Sequence, residues 1–284
     1  MRKEYYCLIA GLPDLFFDAS KIGSSVTNFK FYLKEELTKD DFDLIESYFW
    51  RYDNHNLLLL LEKKDAEFNQ KGNLTKEDFE NIFFLMKEET LKSFTKKIPP
   101  YFEKFIHSFR NDDPIIPNKS WENQIVELYY DYLADIKSPF LKEWYAFEMD
   151  LNNILTASNC RKFQMSIEPE LIGNNELTEK LIKSSAKDFG IGNEFPKIEQ
   201  VFRGMEETDL LEREKKIDFL KWELLDEKTF FNYFTIEKIF TYILKLEMIE
   251  RWISLDKKTG QELFNKLLYD LQMNQKFPEE FSKK

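Results

Sequence analysis

Long stretches of the chain mix apolar and charged residues with no helix breaker among them. Residues 24–71 and 205–259 contain neither glycine nor proline, and the chain is rich in leucine, lysine and glutamate, which favour helices. Residues three and four apart share one face of a helix, so EREKKIDFLKWELL at 212–225 is interpreted as an amphipathic helix with a charged start. The pattern predicts an all-α protein.

A motif recurs along the chain with a step of 97 residues. The segment RYDNHNLL at 51–58 aligns without a gap with EMDLNNIL at 148–155, and a further step reaches KLEMIERW at 245–252. A tyrosine stands three residues before each segment, a carboxylate coincides within all three segments, and asparagine coincides in the first two. The repeat-motif residues are Tyr48, Asp53 and Asn56; Tyr145, Asp150 and Asn153; and Tyr242 and Glu247.

Two clusters of helix breakers keep the same step, because Pro99 and Pro196 also lie 97 residues apart. They predict three related helical units within one compact protein, at 1–98, 99–195 and 196–284. The alternative is a chance alignment, which any helical chain rich in leucine, lysine and glutamate can produce.

The motif carboxylates and amides fall on helix faces that are otherwise apolar or small. The three faces read Phe49, Asp53, Asn56, Leu60; Ala146, Asp150, Asn153, Ala157; and Ile243, Glu247, Glu250, Ser254. Buried polar groups need partners, so we expect Asp53 and Asp150 to be largely buried and bonded to a neighbouring helix or loop backbone. In the third, more solvated face, Glu247 is expected to pair with Arg251, one turn further on.

Composition narrows the classes of function. The chain carries 52 acidic and 41 basic residues and a formal net charge of −11, which argues against nucleic acid as a partner because such binding needs a basic face. It has no run of 18 apolar residues, so no transmembrane segment is predicted. Cys7 and Cys160 are far apart in a chain where no signal peptide is expected, which predicts reduced thiols in the cytoplasm.

The search for catalytic, metal-binding and cofactor-binding groups predicts none. The only histidines are His55 and His107, and neither belongs to a Glu-x-x-His di-iron motif or to a Cys/His zinc set. The segment 65–79 is similar to a calcium loop but lacks its glycine and its last glutamate, which leaves a helix opened by Thr75 with Asp78 in a capping box. An enzyme that uses Asp53 and Asp150 in a cleft stays open as a weaker alternative.

Three segments resemble the adaptor subunits of rotary V-type and archaeal-type ATPases, a family that comprises the prokaryotic C and eukaryotic d subunits. They are RYDNHNLLLLLEKK at 51–64, WYAFEMDLNNILTASNCRK at 144–162 and FTIEKIFTYILKLEMIERWISL at 234–255. The chain as a whole resembles an uncharacterised bacterial branch of that family, encoded with V-type ATPase genes.

The resemblance implies a funnel of three helical units about a pseudo-threefold axis. It implies a non-catalytic central adaptor of a rotary motor for ion transport, which couples the central stalk to the membrane proteolipid ring. Such an adaptor has no cofactor and lies in the cytoplasm, peripheral at the inner face of the cell membrane. The alternative is a stand-alone helical scaffold or regulatory interaction protein of the same fold.

Overall fold

The computed structural model describes residues 3–64 and 66–255, and helices are the only regular secondary structure in these residues. The predicted all-α class is confirmed. The eleven α-helices of the described ranges are α1 (Tyr6–Ala10), α2 (Val26–Glu36), α3 (Lys39–Leu61), α4 (Lys76–Lys87), α5 (Tyr101–Asn111), α6 (Trp121–Ala134), α7 (Pro139–Phe163), α8 (Glu176–Lys183), α9 (Ile198–Met205), α10 (Leu210–Thr229) and α11 (Ile236–Ser254).

Side-chain caps fix where most of these helices begin, because the first backbone N–H groups of a helix lack partners within it. The hydroxyls of Ser25, Thr38 and Ser138 each accept an N–H at the starts of α2, α3 and α7. The predicted capping box of Thr75 and Asp78 opens α4. A second capping box, which Asn175 begins, opens α8.

Three pairs of consecutive helices are joined by short connections, at 37–38, 135–138 and 230–235. The pairs are α2–α3, α6–α7 and α10–α11. The second helix of each pair carries one of the repeat motifs, with Asp53 on α3, Asp150 on α7 and Glu247 on α11. We call α3, α7 and α11 the motif helices.

Each motif helix contacts the first helix of another pair. Helix α3 packs against α6, and α11 packs against α2. An ion pair links α7 to α10, with 2.5 Å between Lys228 Nζ and Glu143 Oε2. The order of contacts is therefore cyclic, from the first pair to the second, from the second to the third, and from the third back to the first.

The buried apolar side chains form two clusters. The larger cluster combines residues between 5 and 145 with residues between 222 and 249, and the smaller cluster lies between 151 and 220. At the centre of the larger cluster, the ring of Phe240 contacts those of Tyr48, Phe140 and Tyr145. Neither cluster coincides with a single predicted unit, and the unit boundaries near residues 98 and 195 stay predictions.

Candidate functional site

The motif carboxylate and amide of α3 hold the loop that precedes α4. Asp53 is fully buried and accepts the backbone N–H groups of Asn73 at 2.7 Å and Leu74 at 2.9 Å. Asn56 accepts the N–H of Asn69 at 2.8 Å and donates to its carbonyl oxygen at 3.0 Å. A Cβ on Gly72 would lie 2.6 Å from Asp53 Oδ1, so the loop can approach this closely only with glycine there.

The amide of α7 makes the same pair of bonds to the loop that precedes α8. Asn153 accepts the N–H of Ile172 at 2.8 Å and donates to its carbonyl oxygen at 2.8 Å. Asp150 differs from the expectation, since it is half-buried and accepts the side-chain amide of Asn175 at 3.2 Å. The loop meets Asp150 through a longer side chain, so this carboxylate lies nearer the surface than Asp53.

The loop held by Asp53 and Asn56 reaches from α3 to α11. Lys30 on α2 donates from Nζ to the carbonyl oxygens of Lys71 at 3.0 Å and Gly72 at 2.9 Å. The side chain of Lys71 extends to α11, where its Nζ lies 3.2 Å from Glu247 and 2.6 Å from Glu250. One lysine of this loop therefore links the first motif to the third.

The predicted pair of Glu247 with Arg251 is wrong. Glu247 accepts the hydroxyls of Tyr48 and Tyr52 on α3, in addition to its ion pair with Lys71. Arg251 pairs with Asp218 on α10. The two tyrosines belong to α3, Lys71 to the loop before α4 and Asp218 to α10. Tertiary contacts therefore override the pairing that the spacing along α11 suggested.

The motif tyrosines differ in burial. Tyr48 and Tyr145 are buried, and the Tyr145 hydroxyl lies 3.2 Å from Ser47 Oγ. Tyr242 is only partly buried, and its ring packs on Phe29 with 5.0 Å between centroids.

An ion pair joins two positions that coincide in the 97-residue register. Arg51 and Glu148 each precede a motif aspartate by two residues, and Arg51 Nη2 lies 2.6 Å from Glu148 Oε2. Burial would raise the pKa of the Glu148 carboxyl, but Arg51 and Lys221 hold that pKa below its usual value. The carboxylate is therefore ionised and paired at neutral pH.

These charged side chains line a cleft of about 790 Å³ between the motif helices and α10, which we call the charged cleft. Five carboxylates and four cationic groups contribute, so the surface carries both signs of charge. The lining residues are Tyr48, Arg51, Tyr52, Glu67, Lys71, Trp144, Glu148, Asp218, Lys221, Leu244, Glu247, Met248, Glu250, Arg251 and Ser254.

A second cavity, of about 430 Å³, lies where the motif helices begin. Asp41 near the start of α3, Pro139 at the start of α7 and Ile236 at the start of α11 all line it. The contacts of Phe240 with Tyr48 and Tyr145 follow one to two turns further on, where the charged cleft begins, and the cleft continues along the later turns of each helix. Because the contacts succeed one another in the same order on all three helices, the motif helices run in the same direction.

The structure does not join Asp53 and Asp150 in one site, since each is bonded to the loop that follows its own helix. His55 and His107 are both exposed. In residues 3–64 and 66–255, no group of three or more His, Cys, Asp or Glu side chains could hold a metal ion. In the same residues, no helix is both long enough and apolar enough to cross a membrane.

Comparison with protein families gives a match over most of the chain. The model of a family described as protein of unknown function, DUF2764, matches residues 1–275. The chain belongs to the DUF2764 family. No curated protein matches it, and no solved structure matches it.

Sequence reasoning missed several residues of the charged cleft in this DUF2764 protein, above all Arg51, Glu148 and Lys71. One signal was present for the first two, because opposite charges occupy the same position of the repeat. No comparable signal marks Lys71, which belongs to an irregular loop.

Proposed function

We propose that this DUF2764 protein is a non-catalytic adaptor of a rotary V/A-type ATPase. In this proposal it couples the central stalk to the proteolipid ring, from the cytoplasmic side of the membrane and without an active site of its own. The resemblance of the three motif segments to the adaptor subunits of such motors supports the proposal.

The observation that carries the proposal is the cyclic packing of three helix pairs. Helix α3 contacts α6, α7 is ion-paired to α10, and α11 contacts α2. The contact of Arg51 with Glu148 at equivalent repeat positions agrees with a rotation that relates α3 to α7. Three similar helix pairs that contact one another in a closed cycle favour a funnel with a central opening. A simple helical bundle has no such opening.

The charged cleft supplies the socket of such a funnel. A helix about 10 Å wide that fills about 790 Å³ is roughly two turns long, so the cleft can take the end of one stalk helix. Its mixed charges suit a charged coiled-coil end, and contacts of this kind give specificity more than raw affinity. The buried aromatic cluster around Phe240 stiffens the packing beneath it, as torque transmission requires.

A stand-alone helical scaffold of the same fold is the second candidate, since mixed-charge clefts also bind other helical partners. The genes next to this one separate the two candidates. The adaptor proposal expects genes for the ATPase head and ring beside it.

Affinity purification of the tagged full-length protein from its own cells at low salt tests the proposal. We expect stalk and ring subunits to co-purify and the yield of stalk subunits to fall at high salt, because screening weakens exposed charge pairs. The charge reversals Glu67→Lys and Lys221→Glu in the cleft should reduce the yield of stalk subunits. The matched control is Lys104→Glu on α5, an exposed lysine outside the cleft.

Recovery of the protein alone, while the ATPase assembles and couples in cells that lack it, would refute the adaptor and leave the scaffold. Equal losses with Lys221→Glu and with Lys104→Glu would remove the charged cleft as the stalk site.

A further inference from the structure

Large aromatic side chains project into solvent where α10 connects to α11. Phe231 is 91% exposed and Phe230 is 72% exposed. Tyr233 in the same connection and Tyr6 on α1 are each more than half exposed. We call these four residues the aromatic tip. Exposed aromatic residues gathered in this way mark a contact surface more often than scattered ones do.

The fold fixes the aromatic tip in place. The backbone N–H of Tyr5 donates to the carbonyl oxygen of Phe234 at 2.8 Å, which ties α1 to the connection. The ring of Phe234 packs on Tyr6 at 4.6 Å and on Tyr233 at 5.0 Å between centroids. The Tyr5 hydroxyl in turn accepts the backbone N–H of Thr38 at 3.3 Å, at the start of α3. The projecting rings therefore stand on a base tied to two motif helices.

No charged residue lies in either segment that builds the tip. Residues 5–13 and 229–236 contain no Asp, Glu, Lys or Arg, although these make up 33% of the chain. The nearest charges in the sequence on either side of the connection are Lys228, which pairs with Glu143, and Glu237, which is buried. Charged side chains contact the tip only from outside these two segments: Glu4 accepts the Tyr6 hydroxyl, and Lys238 Nζ lies 5.4 Å from the centre of the Tyr233 ring. The rings of Phe230 and Phe231 themselves carry no charge and can leave water without the cost of desolvating one.

The aromatic tip and the charged cleft lie at different levels along α11. The connection ends at the start of α11, and Glu247 in the cleft follows eleven residues after Ile236, about 16 Å along the helix. The aromatic tip therefore stands beside the start of α11, and the charged cleft lines the later half of that helix. The two are separate surfaces and can contact different partners.

We propose that the aromatic tip contacts a lipid bilayer directly, with Phe230, Phe231 and Tyr233 in the interfacial layer of the membrane. Amphipathic aromatic rings favour that layer, and these rings project from a turn instead of lining a groove that would seat a peptide. The inference deepens the proposed adaptor function, on which it rests, by assigning the end that faces the membrane. Its test needs only the purified protein and lipid, so it can fail while the adaptor function stands.

Co-sedimentation of the purified full-length protein with large unilamellar vesicles tests this inference. The probes are vesicles of phosphatidylcholine alone and of phosphatidylcholine with phosphatidylglycerol. Wild-type protein is expected to bind both kinds to a similar extent and to keep its binding at high salt. The double variant Phe230→Ser/Phe231→Ser should lose about tenfold in partitioning, as expected when two aromatic rings no longer leave water.

The matched control is the double variant Phe31→Ser/Phe84→Ser, which removes exposed rings from α2 and α4, away from the tip. It should bind vesicles as the wild type does, and all three proteins should show the same helical content and melting temperature.

Three results would overturn the inference: no binding of wild type to either vesicle, an equal loss in both double variants, or binding only to vesicles with phosphatidylglycerol that salt abolishes. The inference would also be overturned if wild type did not bind either vesicle and the tip variant lost a protein partner, because the tip would then be a protein-docking surface.

Discussion

Asp53 offers the sharpest test of how the loop before α4 is held. Burial raises the pKa of its carboxyl to about 7, although the N–H groups of Asn73 and Leu74 and the nearby Lys30 act in the opposite direction and Glu46 adds to the increase. In the unfolded chain the same group titrates near 3.8. Between these two values the folded state binds a proton that the unfolded state has lost, so this group stabilises the fold at low pH and less as pH rises towards 7.

The perturbation is Asp53→Asn, which keeps the shape and one acceptor oxygen but cannot titrate. Linkage with the raised pKa gives a loss of roughly 2–3 kcal/mol in the free energy of unfolding of wild type between pH 5 and pH 7.5, relative to the variant. Urea denaturation of both proteins at several pH values measures this difference, in which the titrations of groups remote from Asp53 and Lys30 largely cancel. The matched control is Asp150→Asn, whose carboxylate is half-buried and should show a smaller trend of the same sign.

A difference between wild type and Asp53→Asn that stays constant within about 0.5 kcal/mol over this range would refute the reasoning. It would mean that Asp53 is ionised throughout, so that the two N–H groups and Lys30 outweigh its burial.

Three further predictions concern stability, measured by urea or thermal unfolding. Asn56→Ala and Asn153→Ala should each cost about 1–3 kcal/mol, because each leaves a loop N–H and carbonyl without their partner; a large cost for one only would deny that they are equivalent. Gly72→Ala should cost about 2 kcal/mol, since its Cβ would lie 2.6 Å from a carboxylate oxygen, and a neutral result would show that the loop can shift freely. Glu148→Leu should cost about 3 kcal/mol by stranding Arg51, and adding Arg51→Met should recover most of it; additive losses would deny that the two side chains are coupled.

The sequence was sufficient for the features that depend on local spacing. Helix class follows from the scarcity of breakers, and the Thr75–Asp78 capping box follows from residues three apart. The equivalence of Asn56 and Asn153 was also predictable, because each asparagine hydrogen-bonds a loop that follows its own helix closely in the sequence. Interactions between residues close in the sequence can therefore be predicted from the spacing of the residues.

Partner choice between distant segments was not predictable in the same way. The spacing along α11 suggested that Glu247 pairs with Arg251, but Tyr48, Tyr52 and Lys71 meet Glu247 from other elements. Several partners of opposite charge or hydrogen-bonding capacity were available, and packing decided among them. The exposure of Phe230 and Phe231 was not predicted for a related reason, since the position of an aromatic residue in the sequence does not say whether neighbouring elements cover it.

The most direct test of the adaptor function is crosslinking from within the charged cleft. A photoreactive amino acid in place of Lys221, which lines the cleft, would be activated in cells that contain the ATPase. The same probe in place of Lys104 on α5 is the control. The account predicts that the adduct from position 221 contains a central-stalk protein of the ATPase and that position 104 gives no such adduct. Adducts from position 221 that contain only unrelated proteins, while the assembled ATPase is present in the same cells, would contradict it.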